Sequence, residues 1–91
     1  MKVSVGFVGF SGLEITTEIE VEVSGDTLDA LLSALESEHG AALLRRLCHE
    51  GHTIDSGVMV LRNDVRVDSR NLTQRFNDGD RIAFVRMVAG G

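Results

Sequence analysis

The spacing of apolar residues changes abruptly along this chain, and the order of the changes limits the folds it can adopt. From residue 13 to residue 23 apolar and polar residues alternate, which is typical of a strand with one buried and one solvated face. From residue 28 the apolar residues recur at intervals of three and four, which predicts a helix. A further strand is predicted before residue 13, so two strands precede the helix. This order excludes a simple repeated β-α-β winding.

The first strand is predicted within residues 1–10, where Val3, Val5 and Phe7 alternate with smaller or polar residues. Ser11-Gly12 then predicts a turn into the second strand. The outer face of the second strand carries several glutamates. We expect it to form a sheet edge, because charge there discourages edge-to-edge pairing.

The helix is predicted to begin at a polar segment, with Asp26 or Thr27 as its N-cap. Its buried stripe is expected to consist of Leu28, Leu31, Leu32 and Leu35. Gly40 interrupts this pattern, and a second short helical stretch is predicted to follow it, with Leu43, Leu44 and Leu47 on one side. Residues 48–57 contain two glycines and are expected to form a loop.

Two later segments, 58–61 and 82–85, are apolar at every position, which predicts strands covered on both faces. Asn63-Asp64 predicts a tight turn into a short strand at 65–67. Residues 71–73 are expected to form a single helical turn, and residues 77–80 a turn before the last strand.

This order of elements predicts an α+β fold: a mixed sheet of four to five strands with one main helix on one face. The first and last strands are expected to be central and parallel, as in the β-grasp (ubiquitin-like) arrangement. We expect residues 1–91 to form a single β-grasp domain, with a flexible Gly-Gly tail at about residues 88–91.

The composition argues against several classes of protein. Nine Lys plus Arg against fourteen Asp plus Glu give a net charge of −5, which disfavours non-specific binding to nucleic acid. No apolar run approaches membrane-spanning length, and the alternating N-terminus does not resemble a signal peptide. A single cysteine excludes an internal disulfide framework. We therefore expect a cytoplasmic protein that binds neither nucleic acid nor membrane.

The segment Cys48-His49-x-x-His52 has some of the spacing of a metal site. A metal needs three or four converging ligands, and the remaining histidine, His39, is not obviously close. We interpret the segment as a polar loop with a buried free cysteine, and we predict neither a metal site nor a bound cofactor. A sulfur-accepting role for the Cys48 thiol is an alternative. The sequence shows no Ser/His/Asp set, phosphate-binding loop or pair of catalytic acids.

The sequence closes on Val88-Ala89-Gly90-Gly91, which would extend past the last strand as an arm with almost no side chains. Glycine lets a backbone pass through a channel too narrow for a Cβ atom. A carboxylate at Gly91, held in line with the α-phosphate of ATP, could be converted to an acyl adenylate. Attack by sulfide would then give a thiocarboxylate, and attack by an amine would give an amide. The alternative is an end that merely frays.

The chain resembles the MoaD/ThiS family of ubiquitin-like sulfur carriers over nearly its whole length, and is more similar to MoaD, the small subunit of molybdopterin synthase, than to ThiS. The resemblance rests on the alternation in residues 3–7, the segment Asp26-Thr27-Leu28 and Asn63. Its most specific part is residues 77–84 together with residues 88–91. The segment 48–57 is longer than the usual connection in the family, and Arg86-Met87 stand where relatives often have prolines.

This resemblance implies a carrier substrate and not an enzyme, although it can be the small subunit of a synthase. A partner adenylyltransferase, similar to MoeB or ThiF, would use ATP to adenylate the terminal glycine. The sulfur would then pass to an acceptor such as a MoaE-like subunit of molybdopterin synthase. Gly91 would carry the reacting carboxylate, with Ala89 and Gly90 forming the slender tail.

One helix can cover only one face of the sheet, so some apolar strand residues should remain uncovered. Met59 and Leu61, like Val85 and Met87, alternate with the other apolar residues of their strands. We expect a partner-docking surface made of Phe7, Met59, Leu61, Val85 and Met87. Alternatively, the loop at 48–57 or the second helical stretch folds over it.

Two other functions are compatible with the same residues. The protein could be a modifier joined to lysines of target proteins through Gly91. It could also be a β-grasp interaction domain that undergoes no reaction. A ferredoxin on a similar fold is excluded, because an iron–sulfur cluster needs four cysteines.

Overall fold

The computed structural model of the chain describes residues 1–11 and 18–87, and the elements within them follow the predicted order. They are β1 (Lys2–Val8), β2 (Ile19–Glu22), α1 (Leu28–His39), α2 (Ala41–Leu47), β3 (Cys48–His49), β4 (Thr53–Ile54), β5 (Val58–Arg62), β6 (Val65–Val67) and β7 (Arg81–Arg86). Across these residues, five strands form one sheet in the order β2-β1-β7-β5-β6, and β3 pairs with β4 separately.

The centre of the sheet is the parallel pair β1 and β7. Phe7 lies opposite Phe84 in this pair, and Val60 of β5 lies opposite Phe84 on the other side, where the strands are antiparallel. β2 pairs antiparallel with β1 and forms one edge of the sheet. The predicted α+β fold, a mixed β-grasp sheet with parallel first and last strands, is therefore confirmed.

Helix α1 begins where the sequence places it. The Thr27 side-chain oxygen accepts a hydrogen bond from the Ala30 N–H at 3.1 Å, which caps the first turn. The predicted stripe of Leu28, Leu31, Leu32 and Leu35 is fully buried. Gly40, at a φ of +92°, lies between the two helices and permits the change of direction into α2.

The core lies between the helices and one face of the sheet. The leucine stripe of α1 packs in a single cluster with Val3, Val5, Val21, Val60, Ile82 and Phe84 from the strands. Leu43, Leu44 and Leu47 of α2 belong to the same cluster. Both helices therefore cover the same face, and the alternative in which the second helical stretch folds over the other face is wrong.

Two local predictions are corrected. The segment 48–57 is not simply a loop, because Cys48 pairs with Ile54 in a short β3–β4 hairpin that buries both residues against the core. Residues 71–73 form a hydrogen-bonded turn and not a helical one. There the Asn71 side chain accepts bonds from the Thr73 N–H and hydroxyl, which competes with helical backbone bonding. The second strand is seen as Ile19–Glu22, and its predicted portion at residues 13–17 lies outside the described residues.

Asp80 is a buried carboxylate that fixes the start of β7. It accepts hydrogen bonds from Arg62 Nε at 2.7 Å, from Asn63 Nδ2 at 3.0 Å and from the Asn77 N–H at 2.8 Å. Burial alone would raise the pKa of Asp80, but these bonds outweigh it, so the pKa lies below its ordinary value. The carboxylate joins the β5–β6 turn to the central strand.

We predict that Asp80→Ala lowers the free energy of unfolding by about 2–3 kcal/mol, because three donors lose a buried acceptor. Urea denaturation of the two proteins measures this difference. Asp68→Ala is the matched control, since the Asp68 side chain is 56% exposed and, within residues 1–11 and 18–87, forms an ion pair only with Arg70. It should leave the stability close to that of the wild type, because an exposed ion pair contributes little. Equal losses for the two variants would contradict the role given to Asp80.

The same contact sets a pH dependence. Because the pKa of Asp80 is lowered in the folded protein, its stabilisation is fully present above the unfolded carboxyl pKa of about 3.9 and is lost as the pH falls through the folded value. The stability difference between the wild type and Asp80→Asn should therefore shrink below about pH 4. A difference that stays constant down to pH 2 would argue against an ionised Asp80.

Candidate functional site

The sheet face opposite the helices presents a set of apolar side chains. Met59 of β5 lies opposite Val85 of β7, and Val85 in turn lies opposite Val8 of β1. Leu61 lies opposite Ala83 in the next register position on the same face. Val8 is 56% exposed, whereas Met59, Leu61, Ala83 and Val85 are half-buried. We call this set, with Met87 directly after the strand, the uncovered face.

Met59, Leu61 and Val85 thus share a face, as their alternation predicts, but Phe7 does not. Phe7 lies opposite Phe84 on the helix-covered side, with the two rings stacked at a centroid distance of 5.8 Å. Its inclusion in the docking surface is wrong. The period of two that assigns Val3 and Val5 to the core also assigns Phe7 to it.

Sequence reasoning missed Val8 and Ala83 as members of this face. A signal for Val8 was present, since a strand that turns Val5 and Phe7 inward turns residue 8 outward. The signal for Ala83 was of the same kind, since Ala83 lies two residues before Val85 and a strand places both on one face. The prediction that residues 58–61 and 82–85 are covered on both faces is wrong, because burial alternates along them. Val58, Val60, Ile82 and Phe84 are buried, whereas Met59, Leu61, Ala83 and Val85 are half-buried.

The apolar residues of this face have a charged border. At the β2 edge, Arg81 pairs with Glu18 at 2.7 Å and Lys2 lies 3.8 Å from Glu20. All four of these side chains are at least 47% exposed. An apolar centre with a solvated charged rim is the usual composition of a surface that binds another protein.

The end of β7 is held by a short segment before β5. The Met87 N–H donates to the Gly57 carbonyl at 2.8 Å. Asp55 accepts from the Gly57 N–H at 3.0 Å and pairs with Arg86 at 3.3 Å. The Gly57 amide first, and then the Arg86 guanidinium, lower the pKa of the Asp55 carboxyl. The course of the chain is therefore fixed as far as Met87. The predicted tail residues Ala89, Gly90 and Gly91 lie outside the described residues.

The segment after β1 approaches the end of β7 closely. Because β1 and β7 are parallel, the residues after β1 lie beside the last residues of β7. Gly9 has a φ of +83°, and a Cβ atom on it would lie 2.7 Å from the Arg86 carbonyl oxygen. Only glycine fits this approach without a shift of the backbone.

The remaining candidate residues do not form a reactive centre. Burial, and then the nearby Glu36 carboxylate, raise the pKa of the Cys48 thiol to about 11, so the thiol is protonated near neutral pH. His52 instead contacts Asp29 at the start of α1. Among residues 1–11 and 18–87, no three His, Cys, Asp or Glu side chains are grouped so that they could hold a metal ion. The helices of this part of the chain are also too short or too polar to cross a membrane.

We predict that Gly9→Ala destabilises the protein more than Gly79→Ala does. Both glycines have a positive φ, but a Cβ on Gly79 would meet nothing within 4 Å. Gly79→Ala should cost about 1–2 kcal/mol for the left-handed backbone alone, and Gly9→Ala should cost more because of the clash with Arg86. Urea denaturation gives the stabilities, and amide chemical shifts of Arg86 and Met87 should move only in Gly9→Ala. Equal stabilities and unmoved shifts would contradict the close approach.

The chain is similar to known proteins over most of its length. It shares 26% identity with SAMP1 of Haloferax volcanii, with 100% of both chains covered and a TM-score of 0.75. It shares 29% identity with a chain in the Amycolatopsis orientalis BexX/CysO complex, covering 98% of this chain and 99% of that one, with a TM-score of 0.74. A chain in the Helicobacter pylori complex of molybdopterin-converting factor subunits 1 and 2 shares 24% identity over 100% of both chains, with a TM-score of 0.61, which shows a common fold.

No curated protein sequence matches the chain. The model of the ThiS family matches residues 11–91, from shortly after β1 through Gly90 and Gly91. This match, together with the parallel β1–β7 pair and the helix-covered mixed sheet, confirms the resemblance that the sequence predicts: the chain belongs to the ThiS family.

Proposed function

We propose that this protein is a sulfur carrier in which Gly91 supplies the carboxylate that is activated and then converted to a thiocarboxylate. The observation that carries the proposal is the position of β7. This strand is hydrogen-bonded on both sides, by β1 and by β5, and its exit is fixed at Met87, four residues before Gly91. The family match extends through the same residues.

The proposed chemistry takes place in a partner enzyme. The Gly91 carboxylate attacks the α-phosphate of ATP, which forms an acyl adenylate and releases pyrophosphate. Sulfide then attacks the activated carbonyl carbon, and AMP leaves as the C–S bond forms. The carrier contributes the reacting group and the binding surface, whereas ATP is used by the partner. No bound cofactor is needed in the carrier itself.

The length of the tail limits how the partner can bind. Four residues in extended conformation span at most about 14 Å, so the nucleotide of the partner must lie within that distance of Met87. The small side chains of Ala89, Gly90 and Gly91 would let this segment pass through a narrow channel. The partner must therefore contact the body of the carrier directly beside the tail.

The uncovered face is the surface we assign to this contact. Its apolar residues end at Met87, so a partner that binds there lies next to the tail. A similar protein at 29% identity occurs in a solved complex, that of BexX and CysO, which supports the assignment of a docking surface. The same face would bind the adenylyltransferase and the sulfur acceptor in turn, since both reactions need the end of the tail.

The acceptor that we propose is the MoaE-like subunit of molybdopterin synthase. The resemblance to MoaD in residues 77–84 and 88–91 supports this pathway. The adenylyltransferase would be of the MoeB or ThiF type. We expect the reaction to take place in the cytoplasm, where these partners, ATP and reduced sulfur would be present. Capture of the synthase subunit by the thiocarboxylate form, and not of subunits from other sulfur pathways, tests this assignment.

A second candidate function is protein modification through Gly91. It is favoured by the similarity to the protein named small archaeal modifier protein 1, which covers 96% of this chain at 25% identity. In that case an amine of a target lysine would displace AMP and form an amide. ATP-dependent conjugates of higher mass indicate a modifier. Replacement of one oxygen by sulfur in the intact protein indicates a carrier.

We predict that Gly90→Ala, or one residue added after Gly91, abolishes activation of the carboxylate without unfolding the protein. The added Cβ or residue would prevent the carboxylate from reaching the nucleotide through the channel. ATP–pyrophosphate exchange with the adenylyltransferase measures this step. Gly51→Ala is the matched control, because Gly51 lies in the turn of the β3–β4 hairpin with nothing within 4 Å of its Cβ position. Unchanged exchange in both tail variants would overturn the proposed passage of the tail.

We predict that Val8→Lys weakens binding of the adenylyltransferase by about tenfold, or about 1.4 kcal/mol, because it places a charge on the uncovered face. Val65→Lys is the matched control. Val65 is 67% exposed and Val8 is 56% exposed, but Val65 lies on the β6 edge, opposite Arg62 and away from the uncovered face. Titration calorimetry compares the affinities, and circular dichroism checks both folds. Equal weakening by the two variants would contradict the assigned surface.

A further inference from the structure

A groove of about 360 Å³ lies beside the end of β7, on the side that faces away from the uncovered face. Arg86 lies opposite Val58 in the sheet, and Val58 is buried under the helices, so the Arg86 side chain belongs to the helix-covered side. The groove is lined by Gly9, Phe10, Ser11, Arg45, Arg46, Asp55 and Arg86. We call it the arginine groove.

The charge of the arginine groove is opposite to that of the chain as a whole. Among residues 1–11 and 18–87, three guanidinium groups and one carboxylate line it, whereas the whole chain has a net charge of −5. Asp55 pairs with Arg86 and so offsets one of the three positive charges. Within residues 1–11 and 18–87, neither Arg45 nor Arg46 has a carboxylate within ion-pair distance, so the described lining keeps an excess of positive charge.

The arginines retain hydrogen-bonding capacity toward another molecule. Arg46 donates to the backbone carbonyl of Ser11, which holds α2 against the segment after β1. A guanidinium has five N–H donors in a planar fork, so this contact leaves most of them available. Arg45, the residue before Arg46 in α2, is exposed. A planar fork of this kind binds carboxylates in pairs of parallel hydrogen bonds.

The position of the groove connects it with the tail. Because β1 and β7 are parallel, the residues that follow β1 and the last residues of β7 meet at one end of the sheet. Strand β7 ends there, between the apolar residues of the uncovered face on one side and the arginines on the other. A partner that encloses the tail must contact both sides of this strand end.

We propose that the arginine groove binds an acidic segment, rich in Asp or Glu, on the protein partner that receives the tail. This inference rests on the proposed carrier function and adds to it a charged contact on the side of β7 opposite the uncovered face. Charge complementarity favours this occupant, since the described lining of the groove carries a net positive charge in an otherwise acidic chain. Exposed charged contacts of this kind orient the encounter and strengthen it at low ionic strength.

The test compares Arg45→Glu and the double variant Arg45→Glu/Arg46→Glu with Arg75→Glu. Arg75 is a suitable control, because its side chain is 79% exposed and it lies by Asp26 and Thr27 at the start of α1, the opposite end of the sheet. Each single variant changes the net charge equally. Arg45→Lys keeps the charge but not the planar fork, so it should lose less affinity than Arg45→Glu does. Circular dichroism and urea denaturation show whether each variant is folded.

The measurement is ATP–pyrophosphate exchange by the MoeB- or ThiF-type adenylyltransferase as the carrier concentration and the NaCl concentration are varied. We expect the KM for the carrier to rise about tenfold in the double variant and less in Arg45→Glu, with a similar kcat. The rise of KM with salt should be flatter in the double variant than in the wild type. Arg75→Glu should behave as the wild type.

A folded double variant with an unchanged KM and an unchanged salt dependence would overturn the inference while leaving the carrier function intact. If the wild type supports no exchange, the proposed function fails, and the groove is then judged by calorimetric binding to the same enzyme. Binding by the wild type that the double variant loses would support the groove. No binding by either protein would overturn both proposals.

Discussion

The parallel pairing of β1 with β7 is the contact on which the rest of this structure depends. It joins the two strands most distant in the sequence, with Val5 opposite Ile82 and Phe7 opposite Phe84. Antiparallel neighbours can be connected by a short turn, but parallel neighbours need a long crossover, here the segment that contains both helices. The helices can then cover only one face. The pairing therefore also leaves the opposite face uncovered and brings the end of β7 beside the segment that follows β1.

Most of the architecture could be predicted because the periodicity of the apolar residues was unambiguous. The alternation that places Val3 and Val5 on one face fits only a strand, and the stripe from Leu28 to Leu35 fits only a helix. Thr27 supplied the expected N-cap. The β3–β4 hairpin could not be predicted, because its two-residue strands are too short to show a period. It is held largely by burial of Cys48 and Ile54 against the core, a tertiary contact that local sequence does not encode.

The site was predictable where it depended on alternation and not where it depended on contacts between distant elements. The face of Met59 and Val85 follows from a period of two, and the error with Phe7 came from setting that period aside. The arginine groove had no sequence signal, since it combines Arg45 and Arg46 of α2 with Arg86 of β7. Its formation depends on how α2 packs, which periodicity does not specify.

The strand that leads to the tail is held at both ends by carboxylates. At its start Asp80 binds Arg62, Asn63 and Asn77, and at its end Asp55 binds Gly57 and Arg86. Both carboxyls have lowered pKa values, so both contacts persist under mildly acidic conditions. For the proposed carrier function a rigid base is an advantage, because order already present in the base need not be imposed when a partner binds. The contacts of Asp80 and Asp55 supply this order along β7 as far as Met87, the last residue that the structure describes.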